Sequence, residues 1–346
     1  MNYDPQEYDL VKRIRHTIAG VSEGIAASTA ADYDRVYGHM MRTHSTPDDA
    51  TSRSAYYRRR AALLFVCSQQ AREALRARDR AAFGSPERLN AVSELKRLAS
   101  IFSRYPPDPE KSHSTEGTNN HRTWSDIRSQ LEAVGHRPTS HSKRRGLGAL
   151  VRRKGWQTDL FAQVTEKYRA AVAVVLLTGA RPAELAQGVV VHVIGDNLEI
   201  TVSGAKLGAM RGQPVRTLLV TRDSPHAEYL AMIAGDNKVS VSADAKRLCD
   251  AVRKAGKLAF PRMHGTVSPY SLRHAVASSL KAAGIDPEGI AQVLGHQATR
   301  SQQTYGMSCH GRQGTAILGV RASVPVRDTG RNPVGIGHRT STPKLG

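Results

Sequence analysis

A chain of 346 residues exceeds the usual size of a single compact core, so two domains are expected. Its net charge of +20 and pI near 10.3 point to nucleic acid as partner, because each Lys or Arg set against a phosphate releases a counterion. Cys67, Cys249 and Cys309 are too few and too scattered for a disulfide framework or a zinc site, the start offers no leader pattern, and no apolar run reaches the roughly 18–20 residues of a membrane span, so neither a secreted nor a membrane protein is expected, and a reduced cytoplasmic location is.

Residues 1–50 are weakly patterned, with turn chemistry at Thr46-Pro47-Asp48-Asp49, and have no assigned role. The Arg- and Ala-rich run 56–83 sets Ala61, Leu64, Phe65 and Leu75 at the spacing of a helical face. A second helix is predicted over 86–103, where Leu89, Val92, Leu95, Leu98 and Ile101 or Phe102 form the apolar stripe. Tyr105-Pro106-Pro107-Asp108-Pro109 ends it, since proline donates no backbone hydrogen bond and disfavours helix in the residue before it. The polar stretch to Asn120 reads as a loop, and a short helix over 123–134 completes a helical domain at 51–140, in a half of the chain basic enough to touch the same nucleic acid. Residues 141–150 read as a basic interdomain linker containing Lys143, Arg144 and Arg145, whose charges either face solvent or follow a DNA backbone.

The second half, 151–324, carries more signal. Residues 165–177 are apolar almost all round, and Gly179 is suited to a left-handed stop that delivers Arg181. The β-branched runs 189–194 and 198–202, parted by Gly195-Asp196-Asn197, predict a hairpin; a third strand at 215–220 follows a loop that holds Lys206. Helices are predicted over 224–234 and 242–258. Leu272, Val276, Leu280 and Ala283 form one stripe of a further helix closed by Gly284, and Asp286-Pro287 caps the next, with Ile285 and Ile290 as its hydrophobic staple. That helix ends at Leu294-Gly295 and presents His296. Residues 298–309 can form one more helix carrying Tyr305, against the poor propensity of Thr299, Ser301 and Thr304. The tail 325–346, rich in Gly, Pro, Thr and Arg, reads as disordered. The fold class is therefore mainly α, with a small antiparallel β-sheet in the second domain.

Breaking a phosphodiester by transesterification requires a nucleophile, cations on the non-bridging oxygens and an acid for the leaving oxygen. A tyrosine phenol can attack and conserve the bond energy as a phosphotyrosyl ester; arginine binds phosphate in a fork and is always charged; lysine and histidine suit proton transfer and hydrogen bonding. Each residue has an ordinary structural role as well. Arg181 can cap a helix or pair with Glu184, His296 can sit at a helix C-terminus, Tyr305 can be one of 11 tyrosines in a core, and Lys206 can be a solvated loop residue. Lys206 is the only lysine between Lys167 and Lys238, so no other competes for a role in that region. His274 is adjacent to Arg273 on a helix and cannot easily reach the same phosphate, which makes its role structural.

Together, Thr178-Gly179-Ala180-Arg181-Pro182-Ala183-Glu184-Leu185, Tyr270-Ser271-Leu272-Arg273-His274, Leu294-Gly295-His296 and Thr304-Tyr305 resemble, in order and spacing, the motifs of tyrosine recombinases of the phage-integrase type, over roughly residues 152–306. The resemblance implies a two-domain DNA clamp and a site-specific recombinase that cuts and rejoins double-stranded DNA through a covalent 3′-phosphotyrosyl intermediate. Arg181 and Arg273 would hold the phosphate, His296 support them, Lys206 protonate the 5′ oxygen and Tyr305 attack. Tyr270 stands where the family usually has histidine, and a phenol is a poorer proton acceptor than an imidazole. No metal or nucleotide is implied. A tetramer on DNA, accessory DNA-bending proteins and service to a mobile genetic element are further implications. A type IB topoisomerase, or a DNA-binding protein that no longer cuts, would share the motif set.

Overall fold

The computed structural model describes residues 4–19, 21, 24–107, 122–136, 143–208, 210–263, 265–311 and 315–329, with the side chains of 143–146 excepted. The chain divides into two compact units, Met1–Ser140 and His141–Gly346.

The first unit is helical: α1 (Pro5–Ala19), α2 (Ala27–Arg42), α3 (Arg53–Arg80), α4 (Pro86–Arg104) and α5 (Trp124–Ala133). Ser52, Ser85 and Thr123 each accept a backbone N–H at the start of α3, α4 and α5, which supplies the stop and start signals that the apolar pattern alone leaves loose. Residues 1–50 turn out to be part of this core. Leu10, Val11, Ile14 and Ile18 of α1 and Met40 of α2 are buried with Leu63, Leu64, Cys67 and Leu75 of α3 and Leu95, Leu98 and Phe102 of α4. Glu7 of α1 is also buried, held by Arg88 at 2.6 Å and by Arg78, which ties the first helix to the two longest ones. Of the expected α4 stripe, Leu89 is 62% exposed because it lies in the first turn, ahead of the face that meets α3. The predicted loop from Asp108 to Asn120 lies outside the described residues.

The second unit begins with α6 (Lys143–Val151), so the expected linker is helical instead. Leu147 and Leu150, three residues apart, are buried in the core of this unit, and that apolar face converts a polar-looking segment into a packed helix. Then come α7 (Trp156–Ala162), α8 (Glu166–Thr178) and α9 (Pro182–Gln187), strands β1 (Val189–Ile194), β2 (Asn197–Ser203) and β3 (Val215–Thr221), α10 (Pro225–Ala234), β4 (Lys238–Val241), α11 (Ala245–Ala259), α12 (Pro269–Ala282), α13 (Pro287–Val293), α14 (Thr299–Gln302) and β5 (Ile317–Ala322). One five-stranded antiparallel sheet has the order β4-β1-β2-β3-β5. The predicted three-stranded core of this sheet is present, with Val191 opposite Ile200 and Ile200 opposite Leu218; the two edge strands are additions from distant sequence. The mainly α class with a small antiparallel sheet is as expected.

Helix α8 is central: Val172 to Val175 have no exposure, and Gly179 stops it at φ +65°. Helix α12 packs on α8 and α6, and α13 packs on β3 and β5. The helix expected over 298–309 shrinks to the four residues of α14, and Tyr305 lies beyond its end. Thr299, Ser301 and Thr304 contribute little helix propensity, and Gly306 leaves the helical region at φ +56°. The tail also differs from expectation in part. Arg327 bridges to Ala298, with hydrogen bonds from Arg327 N to Gln297 O and from Thr299 N to Arg327 O, and Asp328 and Thr329 are bonded to Thr299 and Arg300, so residues 327–329 are held; residues 330–346 lie outside the described ones. Among the described residues no helix is long and apolar enough to cross a membrane.

Candidate active site

Two chain reversals built on glycine, at Gly179 and Gly295, bring distant motifs together. Gly179 ends α8, Arg181 becomes the N-cap of α9, and Pro182 occupies the first helical position. Glu184, one turn on, accepts the backbone N–H of Arg181 at 2.7 Å and its guanidinium at 2.6 Å. From β3, Arg216 donates two bonds to the same carboxylate, at 2.9 and 3.2 Å. Glu184 and Arg216 are both wholly buried. Burial raises the Glu184 carboxyl, but Arg216, Arg181 and Arg273 overcome it and bring it down to about 2. The carboxylate is thus charged throughout the neutral range and fixes both guanidinium groups.

Arg273 enters from α12. It donates to the carbonyl of Gly179 at 2.7 Å and to that of Leu294, and its Nη2 lies 3.0 Å from His296 Nε2. Burial, then the charge of Arg181, lowers its pKa to about 9, so it remains a cation at neutral pH. Gly295, at φ +66°, turns the chain after α13 and places His296 over Arg273. A Cβ at Gly295 would stand 2.7 Å from Arg216 Nη1, so this reversal rests directly on the buried guanidinium. Burial, then Arg273, Arg181 and Arg216, pushes the His296 pKa down to about 2, and the ring is neutral. Since guanidinium only donates, Nε2 accepts and the ring proton resides on Nδ1, which is buried without a partner among the described residues, as is Arg273 Nε.

Tyr305 closes this cluster. Its ring lies 4.7 Å from the Arg273 guanidinium carbon, 5.4 Å from the His296 ring and 5.2 Å from the His274 ring. His274 Nδ1 accepts the N–H of Gly306 at 2.9 Å.

The structure therefore gathers Arg181, Arg273, His296 and Tyr305 into one cluster. Tyr270, three residues before Arg273, stands half-buried in the first turn of α12. Lys206 is not drawn into the cluster: it is exposed on the loop between β2 and β3. The root of that loop is anchored to the His296 turn, because buried Gln213 donates to the His296 carbonyl at 3.1 Å and Gln297 donates to the Gly212 carbonyl at 2.7 Å. Lys143, Arg144 and Arg145 open α6, and their side chains fall outside the described residues. Arg216 was missed by motif reading, yet it had a signal: in β3 it shares the inward phase of Leu218 and Val220, where a charge requires a buried partner.

Comparison with known proteins finds similarity to the same family. The phage integrase family model matches residues 158–310. The match covers less than half of the chain. The chain is also 30% identical, over 163 residues, to the tyrosine recombinase XerD of Corynebacterium glutamicum, covering 43% of this chain and 50% of the relative. It thus spans about half the length of that curated relative. The crystal structure of XerA recombinase aligns over 86% of this chain and 93% of its own, at 18% identity and a TM-score of 0.30. The region similar to the phage integrase family begins within α7 and ends at His310, so it includes the whole cluster, from Arg181 to Tyr305.

Proposed function

We propose that the protein is a site-specific DNA recombinase that cuts and rejoins duplex DNA through a 3′-phosphotyrosyl intermediate. The observation that carries this reading is the packing of the Tyr305 phenol against Arg273 and His296, with Arg181 fixed beside them by Glu184. Arg181 and Arg273 would bind the non-bridging oxygens. The orphaned N–H groups of Arg273 Nε and His296 Nδ1 are further donors for an anion. The Tyr305 oxygen would bond to phosphorus as the bond to the 5′ oxygen breaks, with the phenol proton passing to water and the Lys206 ammonium supplying a proton to the leaving oxygen. For that, the exposed Lys206 must swing in from its loop, whose anchored root keeps it within the same unit. Tyr270 would serve as a hydrogen-bond donor to phosphate rather than as a base.

The helical first unit, together with Lys143, Arg144 and Arg145, would supply sequence-independent contacts to the DNA backbone. Strand exchange would take place in a tetramer on DNA with DNA-bending accessory proteins, in the service of a mobile element. The direct test incubates the full chain with a pool of nicked duplexes of randomised sequence, traps the covalent adduct and sequences the attached DNA. An enriched sequence is expected, and Tyr305→Phe should bind it with unchanged affinity and form no adduct. An adduct from the Phe variant would refute the reading, and relaxation of plasmids lacking the enriched sequence would favour a topoisomerase.

A further inference from the structure

Tyr305 lies just beyond α14, a helix of four residues whose N-cap makes no side-chain hydrogen bond. So short a helix cannot hold itself in place, and the segment from Gln302 to Met307 must be held by something else. The holder is α12. His274 Nδ1 accepts the N–H of Gly306 at 2.9 Å. Ser278 Oγ donates to the His274 carbonyl at 2.8 Å and accepts the N–H of Met307 at 3.1 Å. Lys281 Nζ donates to the carbonyl of Tyr305 at 2.6 Å and lies 3.3 and 3.4 Å from those of Gln302 and Gly306.

His274, Ser278 and Lys281 recur at four and three residues and so share one face of α12, while Arg273 reaches from the adjoining face into the site. The fit requires Gly306: a Cβ there would come within 2.6 Å of Ser278 Oγ and 2.8 Å of the His274 carbonyl oxygen. Backbone groups on both sides of Tyr305 are therefore bound by side chains of α12, and the Tyr305 ring packs against Arg273 and His296.

We propose that His274, Ser278 and Lys281 form a latch that docks the Tyr305 segment onto α12 of its own chain, and that Lys281 is the bolt whose engagement sets how often the phenol is in place. Lys281 is a positioning residue, acting through the Tyr305 backbone. The inference rests on the reading of Tyr305 as nucleophile. Its consequence is specific: opening the latch slows attack without weakening DNA binding, and a released segment can reach the site of another chain.

The experiment uses the full chain and the nicked duplex recovered from the randomised pool. Lys281→Met should slow single-turnover adduct formation at saturating DNA about 10–100-fold, the scale on which small misplacement of a reacting group acts. Its DNA affinity and the pH profile of cleavage should be unchanged, and Lys281→Arg should stay within a few-fold of wild type. Hydrogen exchange at the Gly306 and Met307 amides should rise in Lys281→Met, with exchange across α8 unchanged as the control for folding. Mixing Tyr305→Phe with Arg181→Gln should give no adduct, whereas adding Lys281→Met to both chains, which frees the donor's segment and clears the acceptor's site, should produce one in trans. An unchanged adduct rate, a rate that falls together with affinity, unaltered exchange at Gly306, or no adduct in trans would overturn the latch. A wild-type chain that forms no adduct on any duplex would remove the nucleophile reading, and the latch with it.

Discussion

Glu184→Gln tests the electrostatic frame of the site. The wild-type carboxylate is wholly buried between Arg181 and Arg216, and Arg216 is wholly buried with it. Glutamine keeps the volume but removes the charge, and its amide turns two donors toward guanidinium groups that only donate. Leaving Arg216 without a counter-charge should cost about 3–5 kcal/mol at neutral pH. The pH dependence gives a second measure. The carboxyl is held below its ordinary 4.5, at about 2, so it contributes stability above roughly pH 4.5 that is lost as pH falls toward 2; the difference converts to about 3 kcal/mol. Urea unfolding should be followed by the emission of Trp156, which is buried in the second unit, in a Trp124→Phe background that silences the first unit. The wild type should lose about 3 kcal/mol more than the variant between about pH 5 and pH 2. A variant within about 1 kcal/mol of wild type at neutral pH, or one with the same acid sensitivity, would refute the claim that this carboxylate organises the two arginines.

Two further substitutions probe neighbouring parts. Lys206→Ala should slow cleavage about 10²–10⁴-fold with DNA affinity retained, and a duplex with sulfur in place of the leaving 5′ oxygen should restore the rate, since a thiolate departs without an acid; failure of that rescue would remove Lys206 as proton donor. Gly295→Ala should destabilise the second unit more than Gly284→Ala, as read by thermal melting. Both glycines have positive φ, but only the Gly295 Cβ meets Arg216, at 2.7 Å, and the excess should be about 1–3 kcal/mol.

Much of the second unit was legible in the sequence because its signals are local. The all-apolar α8, the Gly179 stop, the hairpin at Gly195 and the Asp286-Pro287 cap each depend on residues within a turn or two of one another, and each occurs where the pattern puts it. Elements whose order comes from elsewhere were not legible. Strands β4 and β5 are short edge strands that exist by pairing with β1 and β3, and Lys238–Val241 alone has no more than a fragment of alternation. Helices α1 and α6 read as unassigned or linker segments because few apolar residues each suffice once α3, α4 or α12 covers them.

The same division holds at the site. Motif order and spacing selected Arg181, Arg273, His296 and Tyr305, since chemistry restricts which residue types can stand at those points. Sequence could not say that Glu184 binds a second arginine from β3, that His296 is a neutral acceptor, or that Lys281 grips the Tyr305 backbone. These follow from burial and from contacts across 21 to 32 residues of chain or more, where a hydrogen bond is decided by which backbones the core brings within 3 Å. The sequence by itself determined the chemistry available to this protein; the tertiary structure decided which charges are paired, which proton is where, and what holds the tyrosine.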